Sequence, residues 1–155
     1  MKLFSLYDDK ENMDMLEGVI TNAGGVVHNG GHTDKFNAIV CDTRGLEDVD
    51  KLTLLHTHLN PVLPQLAKNG RILMLAEDGH IAHSVPATAF ARAVGGFAKS
   101  IAHELGGKGI TANTLHIPSD IILSPSSNHC GVLQFLLSNR ASFITGQVDR
   151  TSHHM

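Results

Sequence analysis

The chain has 155 residues, enough for one domain whose core needs no disulfide or metal staple. Its formal net charge of -3 leaves no basic footprint for nucleic acid, and no like-charge run suits a membrane surface. No apolar run approaches the length of a membrane span, and the N-terminal stretch reaches Asp8 and Asp9 too early for a signal peptide. A soluble, cytoplasmic protein is expected. Cys41 and Cys130 lie far apart without a C-x-x-C spacing, which reads as two free or buried thiols in a reducing compartment.

Short apolar runs alternate with longer helical patterns, the mark of βαβ units and a parallel sheet. A first strand is predicted over residues 3–7. Asp8 and Glu11 then form a capping box for a helix carrying Met13, Leu16, Val19, Ile20 and Ala23, which Gly24 and Gly25 stop. Val26 and Val27 read as a brief second strand, 29–35 as a Gly-rich loop and 36–41 as a third strand. The next helix is predicted over 48–68 on the spacing of Leu52, Leu55, Leu59 and Leu66, kinked or split by Pro61 and Pro64, which lack backbone donors.

A fourth strand covers 71–76, and a long helix over 86–105 follows. Phe90, Val94, Phe97, Ile101 and Leu105 form its core stripe. A fifth strand over 110–117, a helix over 128–138 and a last strand over 141–148 complete the pattern. One domain over 1–149 with a frayed tail over 150–155 is expected.

The segment Phe97-Ala98-Lys99-Ser100-Ile101-Ala102-His103-Glu104-Leu105, followed by Gly109-Ile110-Thr111-Ala112-Asn113, resembles the long helix and next strand of the short-chain dehydrogenase/reductases. Gly70 to Leu75 resembles the strand before that family's active site, and Phe135 to Val148 its C-terminal helix and closing strand. With Phe36 to Leu46 and Leu59 to Leu66 added, the chain is similar to the N-terminal, flavodoxin-like domain of high-molecular-weight 3-oxoacyl-thioester reductases. The resemblance implies a three-layer α/β/α Rossmann-like fold, with a parallel sheet of about six strands in the order 2-1-3-4-5-6.

The resemblance also says where the chemistry should be. The family uses a tyrosine to move a proton at the substrate oxygen, and a lysine four residues on, sharing its helix face, to lower the phenol's pKa and hold the cofactor ribose. The only tyrosine here is Tyr7, with Glu11 four residues on. Family spacing places the pair at Ala87 and Ala91, and the family's serine near Glu77 or, with a slip, Ser84. Neither G-x-G-x-x-G nor G-x-x-x-G-x-G occurs, and the first turn is Asp8-Asp9-Lys10-Glu11-Asn12, whose carboxylates complement the helix dipole and repel phosphate. Between the second strand and Phe36 there is no room for the helix, strand and helix that build the adenine side of the family's cleft.

The reading that follows is a non-catalytic module with no catalytic residue, no metal and no cofactor. It would act in homo-oligomerisation or as a scaffold for a related acyl-thioester reductase subunit, without nucleic acid or membrane. Its interface would be the small-residue face Ala89, Ala93, Gly96 and Ser100. The alternative is an NAD(P)H- or flavin-dependent oxidoreductase of the 3-oxoacyl reductase type, with NADP as cofactor and an unrecognised site.

Eleven histidines also invite a metal site. His56 and His58, two apart on a helix, point to different faces, His80 and His83 lie in a loop beside Glu77 and Asp78, and His153 and His154 end the tail. Surface or packing histidines are the expectation. No G-x-S-x-G elbow is present, and Cys130 beside His129 does not make a thiol enzyme, because adjacent helical residues diverge.

Overall fold

The computed structural model describes residues 2–5, 10–27, 35–78, 84–118 and 120–151. Five strands, β1 (Lys2–Ser5), β2 (Phe36–Asp42), β3 (Leu66–Glu77), β4 (Thr111–Ile117) and β5 (Val148–Arg150), pair in parallel in the order β1-β2-β3-β4-β5. Four helices, α1 (Lys10–Asn22), α2 (Leu52–Leu59), α3 (Val85–Leu105) and α4 (Asn128–Leu137), connect them in turn. β2, β3 and β4 are buried along nearly their whole length, as strands covered on both faces are; β2 and β3 carry apolar runs, while β4 also buries Thr111, Asn113, Thr114 and His116.

Side-chain alternation sorts the core into two halves. Ile39, Cys41, Ile72, Met74 and Ala112 meet Leu55 and Leu59 of α2 and Phe90, Val94 and Ile101 of α3. Val40, Leu73, Leu75, Leu115 and Ile117 meet Leu16, Val19 and Ile20 of α1 and Leu133 and Leu136 of α4. The three-layer expectation holds. All four connections step one strand in the same direction, yet α1 and α4 cover one face while α2 and α3 cover the other. Equal steps over opposite faces have opposite hands, so two crossovers depart from the usual right-handed rule.

Several boundaries differ from the sequence expectations, each for an identifiable reason. Among the described residues there are five strands, not six: Val26 and Val27 do not form a strand, and Val26 is 65% exposed. Gly24, at φ +83°, turns the chain off α1, and Gly25 N–H closes back onto Ile20 O at 2.9 Å, a Schellman-like stop. With that strand removed, the expected order 2-1-3-4-5-6 reduces to the observed one.

The 48–68 helix is a 3-10 turn at Val49–Lys51, the short α2, and a second 3-10 turn at Leu63–Gln65. Past Pro61 and Pro64 the chain is already in β3, which begins at Leu66. The last strand is not 141–148 but Val148–Arg150. Ahead of it Gly146, at φ +68°, donates its N–H to Ala112 O at 2.8 Å, and Asn113 Nδ2 donates to Ile144 O at 2.9 Å, so this stretch is a loop pinned to β4. Fraying does not begin at Arg150, since Thr151 is buried and donates both its N–H and its hydroxyl to His116 O. The rest of the tail, Tyr7 and the Asp8 cap lie outside the described residues.

Glycine 109 illustrates a local requirement. Its φ of +71° closes the turn between α3 and β4, and a Cβ there would collide with the Asn69 side-chain oxygen. Gly109→Ala should therefore cost about 1–2 kcal/mol for the left-handed backbone alone, with the clash added, read as a lowered thermal midpoint.

Candidate functional site

In open α/β sheets, ligands gather at the carboxyl ends of the strands, so that edge was built up residue by residue. β2 and β3 end side by side, with Asp42 opposite Leu75. After β2 the chain turns at Thr43, whose N–H and hydroxyl both donate to Leu75 O, at 2.9 and 2.8 Å. Arg44 folds back onto Asp42 as a fork, with Nε 3.0 Å from Oδ1 and Nη2 2.7 Å from Oδ2, and the Arg44 N–H donates to Oδ1 at 3.0 Å. Asp42 is 4% exposed, and a carboxylate that deep is tolerated because it is paired and hydrogen-bonded. Gly45 N–H donates to Glu77 Oε2 at 3.3 Å, and Asp78 N–H to Ile117 O at 3.1 Å. The ends of β2, β3 and β4 are thus laced together by the protein's own groups.

The family's serine position, Glu77, ends β3, half-buried, and braces the Gly45 turn. Ser84 is the N-cap of α3. It accepts from Ala87 N–H at 3.2 Å, while the Thr88 N–H and hydroxyl donate to its carbonyl, so it is a structural residue here. Ala87 and Ala91 lie one turn apart on the buried side of α3. They offer methyl groups where the proton-transfer pair would stand, so these residues do not fit the family's proton relay. The turn at Asp8 and Asp9, on which the phosphate argument rests, lies outside the described residues.

The helix face proposed as an interface faces outward. Phe90, Val94 and Ile101 pack on the sheet, while Ala89, Gly96 and Ser100 are exposed and Ala93 is half-buried. Ser100 Oγ donates to Gly96 O at 3.2 Å.

Neither cysteine is set up as a nucleophile. Cys41 is fully buried, and burial, with the Asp42 carboxylate adding to it, pushes its thiol far above the ordinary value of 9.0. Cys130 Sγ donates to Ser124 O at 2.8 Å and accepts from Ser127 Oγ at 3.1 Å. A thiol reagent at pH 8 should leave both cysteines unmodified in the native chain and label both in denaturant. Because Cys41 can ionise only when unfolded, stability should fall as pH rises above about 9, by at most ~1.4 kcal/mol per pH unit. Cys41→Ala should remove that slope.

His56 and His58 are exposed on α2, with the His58 ring bonded to Leu54 O at 2.8 Å. His80, His83, His153 and His154 lie outside the described residues. Among the described residues no three His, Cys, Asp or Glu side chains converge on a metal position. No described helix is long and apolar enough to cross a membrane. Sequence reasoning missed the Asp42–Arg44 fork, whose only signal is an Asp-x-Arg spacing just after an apolar run.

No family model and no curated protein matches the sequence. Solved structures do match the fold. An oxidoreductase of the short-chain dehydrogenase/reductase family from Burkholderia thailandensis has a TM-score of 0.69 at 16% identity, over 96% of this chain and 89% of its own. A mutant short-chain dehydrogenase/reductase from Serratia marcescens has a TM-score of 0.68 at 12% identity, over 97% and 95%. A short-chain dehydrogenase from Burkholderia cenocepacia, in complex with NADP, has a TM-score of 0.61 at 16% identity, over 76% and 64%. The chain therefore has the short-chain dehydrogenase/reductase fold. The NADP complex corrects the expectation that no cofactor is involved, because a dinucleotide occupies a protein of this fold.

Proposed function

We propose that this chain is a reductase-fold domain that binds a nicotinamide dinucleotide, NADP(H), and takes part in oxidoreduction. A 3-oxoacyl thioester is the substrate class that the sequence resemblance implies. The supporting observation is the agreement in fold over nearly the whole chain with short-chain dehydrogenase/reductases, and over 76% of it with one that is in complex with NADP. Agreement in fold is weaker support for a reaction than for a binding mode, and with alanines at 87 and 91 no proton-transfer step is assigned. Fluorescence titration tests the reading. Saturable quenching or enhancement with NADPH at micromolar concentration is expected, and no saturation up to about 1 mM would overturn it.

A second reading, a non-catalytic module that self-associates or docks on an active reductase subunit, is favoured by those buried alanines and by the uncovered Gly96 and Ser100. Light scattering separates the two. A dimer that Gly96→Leu dissociates favours the module, and a monomer at all concentrations with no captured reductase counts against it.

A further inference from the structure

Between α3 and the edge strand β5 lies a cavity of about 400 Å³ with a cationic lining. Arg92 and Lys99 of α3 are seven residues apart, two turns of helix, and share one face. On β5, Val148 and Arg150 sit opposite Thr114 and His116 and point toward α3, whereas Asp149 is opposite Leu115 and turned to the other face of the sheet. The strand's one carboxylate is thereby directed away, and Arg92, Lys99 and Arg150 line the cavity around the buried His116.

Three further observations indicate what would fill it. No Asp or Glu contributes to the lining, although the chain as a whole carries a net charge of -3. Among the described residues the one ion pair is Arg44 with Asp42, so none of these three cations is neutralised. Gly95 and Gly96 sit in mid-helix on the cavity side of α3, at a cost of about 1 kcal/mol each relative to alanine. A Cβ at Gly95 would approach Val148 Cγ2 to 3.0 Å, so this glycine lets α3 and β5 close the inner end of the cavity, while a Cβ at Gly96 would meet nothing within 4 Å and project into open space.

We infer that this cavity binds a small phosphomonoester, with its phosphate held by Arg92, Lys99 and Arg150. Two arginines and a lysine suit a phosphate dianion better than a single carboxylate, because the guanidinium fork matches two phosphate oxygens and the second negative charge uses the extra cation. The volume lies in the range of small-molecule sites, about 300–1,000 Å³. The inference does not rest on dinucleotide binding, and its probe contains no nicotinamide.

Calorimetric titration of the full chain with glucose 6-phosphate, with glucose and citrate as comparisons, tests it. Glucose 6-phosphate should bind saturably with a dissociation constant below about 1 mM at low salt, and glucose should give no signal. Arg92→Ala and Arg150→Ala should each weaken binding by roughly tenfold or more, and Lys51→Ala, which removes an exposed charge outside the lining, should not. Gly96→Leu leaves every charge in place and fills the cavity, and should also weaken binding about tenfold with the thermal midpoint held. The inference is overturned by no saturation up to about 10 mM, by Lys51→Ala weakening binding as much as Arg150→Ala, or by citrate binding more tightly than glucose 6-phosphate.

Discussion

Phe90→Ala should lower the stability of the chain by about 3–5 kcal/mol. Phe90 is 2% exposed in the first half of α3 and belongs to the cluster formed with Ile39, Cys41, Met74 and Val94. Truncation removes its transfer free energy and leaves a cavity against strands whose positions are set by sheet hydrogen bonds, so little collapse can offset the loss. Domains of this size have about 5–15 kcal/mol of net stability, so the variant would lose a large share of it. Urea unfolding measures this as a lowered midpoint at unchanged slope. Phe97→Ala, on the half-buried shoulder of the same helix, should cost clearly less. Equal losses at the two positions would mean that the Phe90 stripe is not the face that meets the sheet.

Arg71→Ala is the second large effect, about 2–4 kcal/mol. Arg71 opens the central part of β3 and is 4% exposed. Its Nη1 donates to Asn69 O at 2.8 Å and Gly70 O at 3.1 Å, and its Nε donates to Ser138 O at 3.2 Å. Ser138 is the C-cap of α4, so the guanidinium also meets the negative end of that helix. Alanine would leave three carbonyls without this donor and a gap where the stem packed. Arg71→Met restores the stem but not the donors. It should recover only part of the loss, and full recovery would show that packing, not hydrogen bonding, is Arg71's contribution.

The chain has the fold of the short-chain dehydrogenase/reductases, and the positions at which the resemblance would put their proton-transfer pair are alanines. α3 occupies the place of the family's catalytic helix, yet Ala87 and Ala91 present methyl groups there, and Ser84 caps the helix. The strand ends that would face a ligand are occupied with one another through Asp42, Arg44, Gly45 and Glu77. Uncompensated positive charge gathers instead beside β5, across α3 from its core stripe. A ligand site there would use the scaffold at a different edge.

Much of this was legible in the sequence, because the relevant signals are local. The apolar runs of Phe36 to Cys41 and Arg71 to Ala76, the 3.6-residue stripe of Phe90, Val94 and Ile101, and the glycine stop at 24 each act within a few residues. The reductase fold and the absence of the Tyr-Lys pair followed from such signals, and both stand. The conclusion that no cofactor binds did not stand. It rested on glycines missing at one turn, whereas a short-chain dehydrogenase of the same fold is found in complex with NADP.

Other features depended on partners far along the chain. Val26 and Val27 have strand propensity but do not join the sheet. Leu66 continues a helical leucine spacing but pairs with Phe36 of β2 once two prolines have broken the helix. The Ala141 to Gln147 stretch looks like a strand, yet it is held as a loop because Ala112 and Asn113 take its hydrogen bonds. Asp149 and Arg150 are neighbours in sequence, and only the register of β5 on β4 decides that the charge facing the cavity is positive. Composition, pattern and motif determined which elements this chain forms and which catalytic pair it lacks. Strand pairing, set by hydrogen bonds between residues tens of positions apart, decided where its charges meet.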